Sequence, residues 1–148
     1  MKQDRLKRFT ALLKLYRARE QLLVKKLGAA QAAHAREAAQ LGNLDALRVE
    51  YRNQLSTATE AGVSGAELKN WRRFIHGLDE LRREQRERTE RTADAQALRK
   101  EDWLAGHRRV RGFETLEQKL EAHGREAEAR SEQKRMDEVA ARTGKSRP

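Results

Sequence analysis

Between Leu6 and Ala58 the sequence keeps one seven-residue repeat without a slip, a constraint that leaves little choice but a long helix with a partner along one side. With Leu6 at position a, the a series reads Leu6, Leu13, Glu20, Leu27, His34, Leu41, Arg48 and Leu55, and the d series Phe9, Tyr16, Leu23, Ala30, Glu37, Leu44, Tyr51 and Ala58. Twelve of these sixteen are apolar. The apolar stripe of a globular helix drifts with the 3.6-residue period, so a strict seven-residue repeat indicates a left-handed coiled-coil seam. The single proline is residue 148, so none interrupts the pattern. At 1.5 Å per residue this first arm would be roughly 85 Å long. Gly28 and Gly42 each weaken it by about 1 kcal/mol relative to alanine, and the alanine-rich stretch Ala29 to Ala39 compensates.

The repeat ends in a stop signal and a start signal that almost touch. Gly62 suits the left-handed position just past a helix C-terminus, with Val63 placed to fold back on Ala58. Ser64-Gly65-Ala66-Glu67 fits a capping box, the Ser64 hydroxyl accepting from the third backbone N–H and the Glu67 carboxylate reaching back to the Ser64 N–H. A connection this short makes the flanking helices antiparallel neighbours. The fold class expected is therefore all-α: a single antiparallel two-helix coiled-coil hairpin, with helix 1 over about 4–61, a tip at 62–64, helix 2 over about 65–142 and a flexible tail at 143–148.

In the second arm Trp71, Phe74, Leu78 and Leu81 continue a heptad, the pattern lapses over Arg82 to Arg91, and apolar residues return at Ala95, Leu98, Trp103, Val110, Phe113, Leu116 and Leu120. Folding at residue 63 sets residue n against about 126 minus n. Tyr51 then meets Phe74 and Ile75, Leu44 meets Leu81, Phe9 meets Leu116 and Leu6 meets Leu120. The polar lapse falls opposite His34 and Glu37, where Glu37 is placed to pair with Arg88 or a neighbour. Beyond about residue 122 the second arm has no partner, leaving an overhang of roughly 20 residues, or about 30 Å. An isolated helix of that length is marginal in water. Gly144 reads as its stop.

Charge bears on partners. The formal net charge is +10, and Met1 to Lys26 holds nine Lys/Arg against two acids, a net of +7, whereas Glu121 to Pro148 holds seven against six, a net of +1. A basic patch at one end favours acidic partners. With 38% charged and 37% hydrophobic residues there is little material for a globular core, so an elongated molecule is expected. Absence of cysteine removes disulfides, thiolate metal sites and cysteine nucleophiles. The N-terminal stretch lacks the apolar run of a signal peptide, and no 18-residue apolar stretch occurs, which reads as soluble or peripheral.

Catalytic and metal-binding patterns are missing. His34, His76, His107 and His123 never lie three or four residues apart, so no helical metal site is expected. Thr143-Gly144-Lys145-Ser146 imitates the end of a phosphate-binding loop, but Val139 stands where the earlier glycine is required. No cofactor and no enzymatic activity are expected. The run Arg82 to Arg91 interleaves Glu84, Glu87 and Glu90, so a solvated face with intrahelical ion pairs is expected, not a DNA-binding basic region.

Three stretches carry a family resemblance: Glu50-Tyr51-Arg52-Asn53-Gln54-Leu55 before the tip, Asn70-Trp71-Arg72-Arg73-Phe74-Ile75-His76-Gly77-Leu78 after it, and Lys134-Arg135-Met136-Asp137-Glu138-Val139-Ala140 near the end. Together they resemble the flagellar export protein FliJ. The resemblance implies a cytoplasmic stalk and chaperone component of the flagellar type III export apparatus, peripheral to the inner face of the cell membrane. It implies that the end bearing both termini inserts into the ring of the export ATPase FliI, that the tip-proximal region contacts the export gate FlhA, and that export chaperones are bound. For the gate the candidate residues are Leu44, Leu47, Tyr51, Phe74, Ile75 and Leu78, of which Leu47 and Ile75 sit beside the seam. For the ring they are Arg5, Lys7, Arg8, Arg135, Met136 and Val139. Two other classes stay open: a structural or scaffolding coiled coil, including the analogous stalk of a virulence-type secretion ATPase, and a basic nucleic-acid-binding rod, although nucleic acid is not the expected partner.

Overall fold

The computed structural model describes residues 2 to 145, and side chains from residue 3 to residue 144. Two helices account for nearly all of it, α1 (Lys2–Ala61) and α2 (Gly65–Lys145), packed antiparallel as a hairpin. Gly62 takes φ +92°, the left-handed conformation expected of a helix-ending glycine, and its N–H donates to the Thr59 carbonyl at 3.3 Å. The Ser64 hydroxyl accepts from the Glu67 N–H at 3.2 Å, and α2 begins on the Leu68 N–H to Ser64 carbonyl bond at 3.0 Å. Among the described residues the return bond from the Glu67 carboxylate is not made, so the cap is one half of the box.

The hairpin divides into two compact units, one formed by Met1–Gln21 with Ala105–Pro148, the other by Leu22–Leu104. In both, the α1 seam runs as the heptad expects: all sixteen a and d positions from Leu6 to Ala58 are buried or half-buried. The first unit has its core at Leu13, fully buried, and Val110, 3% exposed. Phe113 lies between two aromatic rings of α1, edge-on to Phe9 at 5.5 Å and stacked on Tyr16 at 4.9 Å. In the second unit Leu78 is 6% exposed, and Tyr51 meets Phe74 edge-on at 4.6 Å and Trp71 at 6.2 Å.

The α2 seam differs from its sequence reading. Residues facing α1 in the second unit are Leu68, Trp71, Ile75, Leu78, Arg82, Gln85, Thr89, Thr92, Gln96 and Trp103, and in the first unit Gly106, Val110, Phe113 and Glu117. These keep one heptad phase, with only Arg99 exposed at a seam position, and the phase passes through the polar run instead of stopping there. Phe74, Leu81, Leu98, Leu116 and Leu120 are each about half exposed, between 46% and 56%, so Leu81 is not the seam partner of Leu44, nor are Leu116 and Leu120 those of Phe9 and Leu6. The cause is that the polar seam residues find partners across the interface, which removes the need for apolar side chains there. Glu37 bonds Gln85 and Thr89, not Arg88, which is exposed.

At the far end α2 continues through Thr143 and Gly144 to Lys145. The expected stop at Gly144 is not used, because this glycine does not adopt positive φ and its helical cost of about 1 kcal/mol is bearable. Of the expected tail, 143–145 is helical and Ser146, Arg147 and Pro148 lie outside the described residues. No helix among the described residues is long and apolar enough to cross a membrane.

Candidate functional site

Heptad geometry gives each unit two flanks. Position e of each helix lies to one side of the seam and position g to the other. In the second unit the e flank is charged: Asp45 at e of α1 holds Arg82, and Asp79 at e of α2 holds Arg48, two reciprocal ion pairs between the helices. The g flank of the same unit carries an apolar patch toward the tip. Leu47 from α1 is 38% exposed, and Phe74 and Leu81 from α2 are 49% and 55% exposed. Four of the six gate candidates, Leu44, Tyr51, Ile75 and Leu78, belong instead to the seam, buried or half-buried. Ile75 was expected beside the seam and is inside it, because the true α2 heptad steps from Trp71 to Ile75. Phe74 and Leu47 are thus the apolar groups that the sequence singled out and the fold leaves accessible. Leu81, read as a seam residue, joins them; the signal that could have found it is its spacing of seven from Phe74. A shallow concavity lined by Tyr51, Glu67, Asn70, Trp71 and Phe74 opens beside them.

In the middle of this unit the seam is a hydrogen-bonded polar layer. Gln85, 5% exposed, donates one side-chain N–H to the Glu37 carbonyl at 3.1 Å and the other to the Glu37 carboxylate. The Thr89 hydroxyl lies 2.8 Å from the Gln85 carbonyl and 3.3 Å from that of Glu37. The Thr92 hydroxyl lies 2.8 Å from the Thr89 carbonyl and 3.2 Å from His34 Nδ1, which joins His34 to the layer.

In the first unit the basic residues separate into two groups. Arg19 and Arg109, one from each helix, cover the Tyr16 ring at 5.7 and 5.4 Å. Arg17 reaches Glu114 at 3.4 Å, Arg111 reaches the same carboxylate at 3.7 Å, and Glu20 takes His107 at 2.7 Å. The ring candidates Arg5, Lys7 and Arg8 stand exposed on α1 without such partners among the described residues. Arg135, Met136 and Val139 lie on the overhang, where every described side chain from His123 to Gly144 is exposed, Met136 by 67% and Val139 by 62%. No group of three or more His, Asp or Glu among the described residues is arranged to hold a metal ion.

Against known proteins the pattern is decisive. The family model for the flagellar FliJ protein matches residues 5–148. The chain belongs to the flagellar FliJ family. It is 27% identical over 99 residues to the flagellar FliJ protein of Escherichia coli strain K12 and 28% identical over 99 residues to that of Salmonella typhi, in each case over 67% of both chains. No solved structure matches it significantly. Membership in the FliJ family places the chain among the components of flagellar protein export.

Proposed function

We propose that this chain is a non-enzymatic stalk and chaperone component of the flagellar type III export apparatus, working in the cytoplasm at the inner face of the membrane. The overhang of α2, with Arg135, Met136 and Val139, enters the ring of the export ATPase FliI, and the exposed cations Arg5, Lys7 and Arg8 face acidic residues of that ring. The observation that carries this reading is the overhang itself: some twenty helical residues with every described side chain in solvent. Its apolar groups, Ala127, Met136, Val139 and Ala140, are too few to offset the ordering entropy of the segment alone, so a partner that orders it is the economical explanation. The apolar patch on the g flank of the second unit, Leu47, Phe74 and Leu81, supports contact with the export gate FlhA, with the seam residues Leu44, Tyr51, Ile75 and Leu78 holding that surface in shape. Export chaperones are further partners; nucleic acid is not.

Co-purification tests the reading. Full-length protein should retain both FliI and the cytoplasmic part of FlhA, and should restore swimming to a strain lacking the protein. Retention of neither, together with a failure to restore swimming, contradicts the assignment.

A further inference from the structure

The e flank of the second unit has more arginine than its own structure consumes. Asp45 and Asp79 are each taken by an arginine of the opposite helix, Arg82 and Arg48. What remains along this flank is Arg52 on α1 and Lys69, Arg72, Arg83 and Arg86 on α2, all exposed and in no ion pair among the described residues. The run Arg82 to Arg91 was expected to neutralise itself along the helix. It does not: Glu87 and Glu90 stand four residues beyond Arg83 and Arg86, at the spacing for intrahelical pairs, yet neither pair forms. Instead Arg83 and Arg86 line one concave stretch of surface with Arg48, Asp79 and Arg82.

We propose that this arginine flank is a docking strip for an acidic peptide segment, distinct from the apolar patch of the same unit and independent of the export reading. Complementarity of charge is the first argument, since the strip's aspartates are already engaged by Arg48 and Arg82. Shape is the second. Lys69 to Arg86 spans roughly 25 Å of helix, far more than one phosphate group covers, and suits a helix or strand bearing several spaced carboxylates. The third is chemistry. Four of the five free cations are guanidinium forks, which match carboxylates in bidentate fashion, and within Lys69 to Arg86 the glutamates Glu80 and Glu84 lie on neighbouring faces, so the strip itself presents no free carboxylate to an acidic segment.

The probe is a fluorescein-labelled deca-glutamate peptide carrying one photoreactive residue, titrated onto the full chain at low salt. The strip should take cross-links within residues 48–52 and 69–86. R83E/R86E should weaken that binding by about ten-fold or more while leaving cross-links within residues 1–26 in place, and the effect should shrink at high salt. K25E/K26E, the same charge change at another exposed site, should alter it by less than about two-fold. Equal weakening by both double variants, cross-links no denser on the strip than elsewhere, or tighter capture of a DNA duplex through the same arginines overturns the proposal. If R83E/R86E loses helicity by circular dichroism, R83A/R86A, which keeps good helix formers, decides by the same criteria.

Discussion

Gln85 directs both protons of its side-chain amide at Glu37, one at the backbone carbonyl and one at the carboxylate, although the two residues are 48 positions apart in the chain. At 5% exposure this is the most buried polar contact described, and it sits in a seam where an apolar pair would be the default. Replacing Gln85 with leucine removes both donors and leaves a half-buried carboxylate unmet, which should cost about 1–3 kcal/mol. The double change Glu37→Leu/Gln85→Leu should recover that loss and match or exceed the starting stability, because a buried polar pair is often no more stabilising than a packed apolar one. Urea unfolding of the three proteins checks this; a double variant weaker than Gln85→Leu would contradict it.

The glycines at the two ends of α2, Gly62 just before it and Gly144 in its last turn, should respond with opposite signs. Gly62 holds φ +92°, and a Cβ there meets nothing within 4 Å, so Gly62→Ala carries a purely conformational penalty of about 1–2 kcal/mol. Gly144 is helical with equally open surroundings, so Gly144→Ala should strengthen the last turn by up to about 1 kcal/mol. Thermal unfolding reads the first. Amide hydrogen exchange near residue 140 reads the second, where local opening is the relevant quantity.

How much of this was legible in the sequence depends on the helix. For α1, hydrophobic periodicity sufficed even through Glu20, His34, Glu37 and Arg48, because enough Leu and aromatic residues hold the phase on either side. The tip was legible from Gly62 and Ser64, and with it the register: Glu37 meets Thr89, His34 meets Thr92 and Glu20 meets His107, each close to the expected offset. The phase of α2 was not. Phe74, Leu81, Leu98 and Leu116 drew the pattern off by one position, while Arg82, Gln85, Thr89 and Thr92 filled the seam. Hydrophobicity alone cannot show that a polar residue is buried, since what allows it is a partner supplied by the other helix. The same mistake moved Ile75 to the surface of the candidate gate site and hid Leu81 from it.

That correction makes the gate proposal sharper. If the apolar patch on the g flank is the contact, Leu47→Ala and Phe74→Ala should each weaken binding to the cytoplasmic part of FlhA by about ten-fold, the loss expected of about 1.4 kcal/mol at an apolar contact. Helicity should persist in Leu47→Ala, whose side chain is over one-third exposed. Ile75→Ala, inside the seam, should lower stability by about 2–3 kcal/mol instead. Calorimetric titration alongside circular dichroism separates the two effects, and a parallel loss of helicity and binding in Leu47→Ala would speak against a docking role.

Charge at the open end should act through the ring. Arg5→Glu/Arg8→Glu reverses two exposed cations that have no partner among the described residues, so the fold should be indifferent to it. Binding to FliI should weaken by about ten-fold at low ionic strength and by much less near 1 M salt, where the screening length falls to about 3 Å. A salt-independent loss would point to altered structure instead.

Removal of residues 123–148 tests the stalk role most directly. None of the described side chains from His123 to Gly144 is buried, so the truncated hairpin should unfold at nearly the temperature of the full chain. Stimulation of FliI ATP hydrolysis, measured at saturating ATP over a range of added protein, should be abolished. A truncated chain that is as stable as the full-length protein and stimulates the ATPase equally well would contradict the assignment of the overhang to the ring.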